Sequence, residues 1–153
     1  MSPQAKTTAD AAAGTAASAP SEREVAEAVT RLIQFMETGS APDGLFAPHM
    51  FTDLSLPHWR LQAGTAQGLV DIRTADHPFP GQVRVERVER TTRGFTLEFE
   101  ERWQDGGEQW YCREMIRADL AGGRIVEMSI YCTGDWDEAK QRVHAEAVRL
   151  IRP

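Results

Sequence analysis

The chain alternates between apolar and polar side chains from residue 82 to residue 133, and this period of two constrains the fold more than any other feature. Such alternation is typical of β-strands, in which successive side chains point to opposite faces of a sheet. It predicts four strands, over residues 82–90, 94–104, 108–119 and 124–133. Glycine lies in each connection, so we expect hairpins at residues 91–94, 105–107 and 121–123. The pattern therefore predicts a long antiparallel meander.

A helix is predicted before the meander. Ser21 and Glu24 form the pattern of a capping box, and Gly39 is a typical helix stop. Between them the apolar residues fall at helical spacing: Val25, Val29, Leu32, Ile33 and Met36. A helical turn around Asp43–Phe46 and a strand over Phe51–Leu56 are expected to follow.

Two further helices complete the expected elements. Residues 65–74 predict a short helix, and Asp135 with Glu138 predicts the start of a last helix over residues 135–151. Residues 1–20 are rich in alanine, serine and threonine and poor in large apolar side chains, so we expect a disordered tail there. The remainder, residues 21–153, is expected to form a single α+β domain. In it, a curved antiparallel sheet wraps around the N-terminal helices and forms a cone-shaped pocket, with a C-terminal helix outside.

Charge and cysteine content exclude several classes of function. The 153 residues carry a net charge of −6, which argues against binding to nucleic acids or to anionic membranes. Two cysteines are too few for a disulfide framework, and the chain lacks the apolar run of a membrane span, so we expect a cytoplasmic protein. No phosphate-binding loop, dinucleotide motif or metal-ligand spacing is present in the sequence, so we expect no cofactor and no metal.

The predicted elements follow the order helix, strand, helix and meander. They include the segments 53–62 (DLSLPHWRLQ), 122–127 (GGRIVE) and 131–136 (YCTGDW). Together, this order and these segments resemble the nuclear transport factor 2-like superfamily and, within it, the SnoaL-like proteins. The resemblance covers roughly residues 21–136. It implies a cone-shaped apolar pocket, a small hydrophobic organic molecule as ligand, and a homodimer formed through the sheet face.

The same superfamily includes polyketide cyclases, ketosteroid isomerases, epoxide hydrolases and pure binding proteins, so the fold alone does not define an activity. Limonene epoxide hydrolase-like members carry an acid in the middle of the last strand, within a Trp-Arg-Asp-Tyr segment. The matching stretch here is 128–131 (MSIY), and Ile130 takes the place of the acid. The epoxide-opening mechanism therefore does not transfer simply to this chain.

Alternation predicts which side chains face the pocket. In the last strand these are Val126, Met128, Ile130 and Cys132. In the strand over 94–104 they are Phe95, Leu97, Phe99, Glu101 and Trp103. Glu101 is thus a carboxylate on an apolar face, where burial would raise its pKa and suit it to acid–base catalysis. Phe99, Trp103, Met128, Ile130 and Cys132 are candidate substrate-binding residues, with Cys132 acting by packing rather than as a nucleophile.

The face presented by the strand over 108–119 depends on the length of the preceding turn. A two-residue turn at Gly106 and Gly107 places Trp110, Cys112 and Glu114 on the same face as Glu101; a three-residue turn places Tyr111, Arg113 and Met115 there. We favour the second register, because an ion pair between Arg113 and Glu101 leaves no buried acid unpaired. Arg113 is therefore included among the candidate pocket residues.

His58 is the second candidate catalytic residue. It follows Leu54 and Leu56, which share a face, and imidazole is suited to proton transfer at neutral pH. Trp59 beside it is a candidate wall for a ring-shaped ligand. His49, His77 and His144 are interpreted as structural or solvated, and Asp135 as the cap of the last helix.

The sequence supports two hypotheses about function. In the first, His58 or Glu101 transfers a proton in a cyclase, isomerase or dehydratase reaction on a hydrophobic carbonyl-bearing metabolite. In the second, the chain is a binding or dimerisation module that does not change its ligand. An ionisable group that lines an enclosed cavity would favour the enzyme, and a purely apolar cavity would favour the binding module.

Overall fold

The first helix begins where the sequence predicts it. The computed structural model describes residues 18–152, so most of the expected tail over residues 1–20 lies outside the described residues. Helix α1 spans Glu22–Thr38 and is capped by Ser21, whose hydroxyl accepts the amide N–H of Glu24 at 3.2 Å. Gly39 ends the helix in the left-handed conformation, with a φ of 74°. The predicted capping box and helix stop are both confirmed.

Six strands and two more helices follow α1. The strands are β1 (Phe46–Leu56), β2 (Trp59–Ala63), β3 (Gly81–Arg90), β4 (Gly94–Asp105), β5 (Glu108–Ala121) and β6 (Arg124–Cys132). The helices are α2 (Ala66–Asp76), between β2 and β3, and α3 (Glu138–Ala147), after β6. None of the helices within residues 18–152 has both the length and the apolar character needed to cross a bilayer.

The strands form one sheet in the order β2-β1-β6-β5-β4-β3. All neighbouring pairs are antiparallel except β1 and β6, which run parallel. The sheet is therefore built from the predicted four-stranded meander and a β1–β2 hairpin added in parallel to its last strand. The predicted α+β class, with a curved and mostly antiparallel sheet, an N-terminal helix and a C-terminal helix, is confirmed.

Two elements differ from their predictions. Strand β1 begins at Phe46, so the expected helical turn there is replaced by a short turn that leads directly into the sheet. Helix α3 is shorter than predicted, because Asp137 rather than Asp135 is its cap: the Asp137 carboxylate accepts the amide N–H of Lys140 at 2.7 Å. The helix ends at Ala147, where Val148 adopts an extended conformation.

The turn between β4 and β5 has two residues, which makes the favoured register wrong. Gly106 and Gly107 have φ values of 60° and 82°, as a type I′ turn requires at both central positions. Asp105 then pairs with Glu108, and Glu101 faces Cys112. Arg113 consequently lies on the outer face of the sheet, where its guanidinium forms an ion pair with Glu86 rather than with Glu101.

The core lies between the helices and the concave face of the sheet. Helix α1 contributes Leu32, Phe35 and Met36, and the ring of Phe35 meets the ring of Phe46 edge-on at 5.3 Å. On β4, the alternating residues predicted to face inward are all buried: Phe95, Leu97, Phe99, Glu101 and Trp103. The packing leaves space between the helices and the strands on the β1 and β6 side.

Candidate functional site

A cavity of about 130 Å³ lies between helices α1 and α2 and strands β1, β5 and β6. Its volume is comparable to that of apolar protein cavities, of about 150 Å³, that hold benzene. The apolar walls are formed by Leu32, Phe35, Met36, Leu54, Leu56, Leu69, Ile72, Ile116, Met128 and Ile130. This space suits a molecule with one small ring.

Polar side chains also line the cavity, and they come from two places in the fold. The last turn of α2 and the residue after it bring Arg73, Asp76 and His77. Strand β5 brings Glu114, and the end of β6 with the segment after it brings Cys132 and Asp135. The cavity therefore combines apolar walls with a few convergent polar groups, as ligand pockets commonly do.

Arg73 and Glu101 form a buried ion pair behind the pocket. The Arg73 guanidinium donates to both carboxylate oxygens of Glu101, including an Nη1–Oε2 bond of 3.2 Å, and to the carbonyl oxygen of Met36 at 2.6 Å. The Glu101 side chain has no exposed surface, and that of Arg73 is 14% exposed. Although burial opposes the charged form of Arg73, the hydrogen bond and charge of Glu101 raise its pKa. Glu101 thus holds Arg73 in place and does not itself reach the cavity.

One donor of Arg73 stays free. Its Nε is buried and has no hydrogen-bond partner among residues 18–152. A buried donor without a partner is uncommon and costs free energy unless a ligand or water accepts from it. Because Arg73 lines the cavity, a ligand oxygen is a suitable acceptor.

Glu114 is the carboxyl group of the pocket that is best placed for acid–base chemistry. It is part of β5, where it pairs with Phe99 of β4, and its side chain lines the cavity. Its hydrogen-bond donor in the described part of the chain is the weak thiol of Cys112, at 3.6 Å, and no arginine or lysine there pairs with it. Burial, and then the charge of Glu101, raises the pKa of Glu114 to about 7, against a smaller opposing effect of Arg73. At neutral pH the group can therefore both give and accept a proton.

His77 and Asp135 lie in the same cavity. Neither ring nitrogen of His77 has a hydrogen-bond partner in the described chain, and its ring meets that of Trp103 edge-on at 4.1 Å. Burial, and then the charge of Arg73, lowers the pKa of His77, so its imidazole is neutral at pH 7. Asp135 lies at the open side of the cavity, where partial burial, and then the charge of Glu101, raises its pKa.

Two thiols lie beside Glu114. The sulfurs of Cys112 and Cys132 and a carboxylate oxygen of Glu114 all lie within 4.8 Å of one another, a donor set that a thiophilic metal could use. A hydrogen bond with Cys132, and then burial, raises the pKa of Cys112, so its thiol keeps its proton. We interpret these three side chains as a hydrogen-bonded cluster that carries protons.

The structure places the predicted substrate-binding residues differently. Met128, Ile130 and Cys132 lie in the pocket wall, as the alternation of β6 predicts. Phe99 and Trp103 are buried on the predicted face, but they pack in the core and do not line the cavity. Their parts in binding stay predictions.

His58 and Trp59 lie outside the pocket, contrary to their predicted placement. Leu56 pairs with Trp59, so Pro57 and His58 form the two-residue turn of the β1–β2 hairpin and point into solvent. Trp59 is 67% exposed. Trp59 instead begins the five-residue strand β2, which is not among the strands predicted from the sequence.

Comparison with known proteins identifies the fold. A scan against protein-family models found no match, and a search of curated proteins found none. Among solved structures, an NTF2-like protein from Anabaena variabilis matches with a TM-score of 0.64 and 13% identity, over 74% of this chain and 89% of that chain. The protein has the nuclear transport factor 2-like fold.

Two other structures with this fold are similar to the chain. An LEH-like epoxide hydrolase from M. tuberculosis matches with a TM-score of 0.58 and 12% identity, over 72% of this chain and 83% of that chain. A protein with a ketosteroid isomerase-like fold from Catenulispora acidiphila, solved in complex with trimethylamine, matches with a TM-score of 0.58 and 13% identity, over 70% of this chain and 85% of that chain. Identities this low show the nuclear transport factor 2-like fold alone, and the SnoaL-like assignment stays a prediction.

Proposed function

We propose that the protein catalyses proton transfer on a small, mostly apolar carbonyl compound, in a reaction of the isomerase, cyclase or dehydratase type. The observation that carries this proposal is the Glu114 carboxyl group, which lines an apolar cavity without an ion-pair partner in the described chain. An acid in such surroundings is a typical general acid–base catalyst. Glu114 takes the role that the sequence alone assigned to Glu101 or His58.

The geometry supports a simple division of roles. The Glu114 carboxylate removes a proton from the carbon next to the substrate carbonyl and returns it to a neighbouring position. As negative charge develops on the carbonyl oxygen, the free Nε–H of Arg73 can donate to it. The apolar walls hold the substrate and exclude water, which strengthens both interactions. Glu114 thus carries the proton between its removal and its return, and exchange of this carboxyl proton with solvent brings deuterium into the substrate in D₂O.

Similar structures support this class of reaction more than epoxide opening. One neighbour has a ketosteroid isomerase-like fold, and isomerases of that kind use a carboxylate base in an apolar pocket. The epoxide hydrolase neighbour is less informative, because Ile130 occupies the position of the strand acid in limonene epoxide hydrolase-like proteins and presents an apolar side chain to the cavity.

Proton transfer can be tested without knowing the natural substrate. We expect the protein to accelerate exchange of the α-hydrogens of cyclohexanone in D₂O, followed by NMR, and Glu114→Gln to lower this rate by at least about 100-fold. Since the carboxylate is the base, the rate should rise with pH through about 7, following the pKa of Glu114. Glu27→Gln, which changes an exposed carboxylate on α1, is the matched control and should leave the rate unchanged. Equal rates for the wild type and Glu114→Gln would refute the proposal.

Binding without chemistry is the second candidate function. It is favoured by the Arg73–Glu101 pair, in which the fully buried acid behind the pocket is already neutralised. If cyclohexanone binds but its hydrogens do not exchange faster than in buffer, the protein is a binding module for the same class of molecule.

We also propose a homodimer formed through the outer face of the sheet. Met115 and Tyr131 are direct neighbours across β5 and β6 and are 42% and 60% exposed. Around them lie pairs of opposite charge, Arg117 with Glu127 and Arg60 with Asp53, which can match a second copy related by a two-fold axis. Tyr131→Glu should therefore halve the mass measured by light scattering, whereas Val143→Glu, on the exposed side of α3, should not. A wild-type monomer would contradict this proposal.

A further inference from the structure

The pocket contains more carboxyl groups than its single guanidinium can neutralise. Asp76, Glu114 and Asp135 line it, and Arg73 is the cation among the described lining residues. The charge of Arg73 is already balanced by Glu101, which lies directly behind it. His77 adds no charge, because burial keeps its imidazole neutral at pH 7. The polar end of the cavity is therefore acidic in net charge.

The nearby negative charge also affects the pKa values of two carboxyl groups in the pocket. Burial is the first cause that raises the pKa of Glu114 and of Asp135, and the negative charge of Glu101 is the second in both. A carboxylate or phosphate on a ligand would meet the same repulsion. A cationic group would instead favour the ionised forms of Glu114 and Asp135.

We propose that the substrate of this pocket carries a basic nitrogen, as a small apolar amine that also bears the carbonyl group. The proposal rests on the proposed function in that it concerns the same cavity. The protonated amine donates to the acidic end, and the hydrocarbon part lies against Leu32, Phe35 and Met128. An ammonium group has three donors and no acceptor, so it matches carboxylates that lack an arginine or lysine partner.

Amine binding is linked to the protonation of Glu114. The groups that act most on the charge of this carboxyl are Glu101 from β4, Arg73 from α2, Cys112 from β5 and Cys132 from β6. Asp76 and His77 at the end of α2, and Asp135 after β6, line the same cavity. None of these supplies an unpaired positive charge, because Arg73 is bound to Glu101. An ammonium ion in the pocket therefore lowers the pKa of Glu114 and releases its proton. Affinity for an amine should rise with pH through about 7, while the amine itself stays protonated.

Three probes with the same ring separate charge from shape: cyclohexylamine, cyclohexanone and cyclohexanecarboxylate. We expect titration calorimetry, in buffer with a chelator to remove metal ions, to show cyclohexylamine binding at least about tenfold more tightly than cyclohexanone, and no binding of the carboxylate. Glu114→Gln and Asp135→Asn should each reduce the preference for the amine, and Glu27→Gln should retain it.

The outcomes distinguish this inference from the proposed function. If cyclohexanone binds and exchanges its hydrogens while cyclohexylamine does not bind, the proposal of an amine substrate is wrong and the proposed function stands. If cyclohexylamine is preferred but Glu114→Gln leaves the exchange rate of cyclohexanone unchanged, the proposal of an amine substrate is supported and the proposed function fails. Binding of the carboxylate, equal binding of all three probes, or binding of none of them overturns the amine proposal.

Discussion

Replacing Glu101 by alanine should lower the free energy of unfolding by about 3 to 5 kcal/mol. The change leaves the Arg73 guanidinium, whose side chain is only 14% exposed, without its carboxylate partner inside the protein. A buried charge without a partner is strongly destabilising, because neither water nor an opposite charge then stabilises it. Chemical denaturation followed by tryptophan fluorescence measures the difference.

Two further variants show that the cause is the unpaired charge. In the double variant Arg73→Met/Glu101→Leu both charges are absent, so most of the lost stability should return. Glu27→Ala breaks the exposed Arg23–Glu27 pair on α1 and should change stability by no more than about 0.5 kcal/mol. If Glu101→Ala costs as little as Glu27→Ala, the pair is solvated in solution and the pocket is wetter than the structure indicates.

Gly94→Ala should cost about 3 kcal/mol or more, for a reason unrelated to charge. Gly94 begins β4 and pairs with Asp119 on β5, where the strands approach so closely that a Cβ atom would overlap the carbonyl oxygen of Ala118. The same Cβ would lie 3.0 Å from the Cα atom of Asp119. These neighbours are backbone atoms, so the strands themselves must move apart.

Gly64→Ala is the matched control for this effect. A Cβ atom at Gly64 meets nothing within 4 Å, and its backbone is not in the left-handed region. The substitution restricts the unfolded chain and should stabilise the protein by about 0.5 kcal/mol. Thermal unfolding of both variants measures the two effects, and similar melting temperatures for them would show that β4 and β5 adjust easily at this point.

The meander could be predicted from sequence because strand alternation is a local signal. All four predicted strands agree with the observed ones within two residues at each end, and the inward face of β4 was identified correctly. The register of β5 was predicted wrongly because an expected ion pair was given more weight than turn chemistry. Two consecutive glycines are what a two-residue type I′ turn requires, and this signal was already present in the sequence.

The polar end of the pocket was largely beyond prediction, because it is formed by residues far apart in the chain. The partner of Glu101 is Arg73 on α2, and no local pattern points to that contact. His77 lies in a proline-rich segment that resembles an ordinary loop. Asp135 had a local explanation as a helix cap, which Asp137 in fact provides. Glu114 could be found by sequence reasoning, but only in the register that was not favoured.

The parallel pairing of β1 with β6 has a consequence for how the protein folds. Short hairpins join the strands of the meander, whereas Thr52 pairs with Met128 across most of the described chain. Closing a longer loop costs more conformational entropy, so we expect this pairing to form after the hairpins. Leu54 and Ile130, which are partners in this pairing, lie side by side in the wall of the same cavity. An intermediate that has only the meander therefore has no pocket, and a ligand can stabilise only the chain that has completed its last step of assembly.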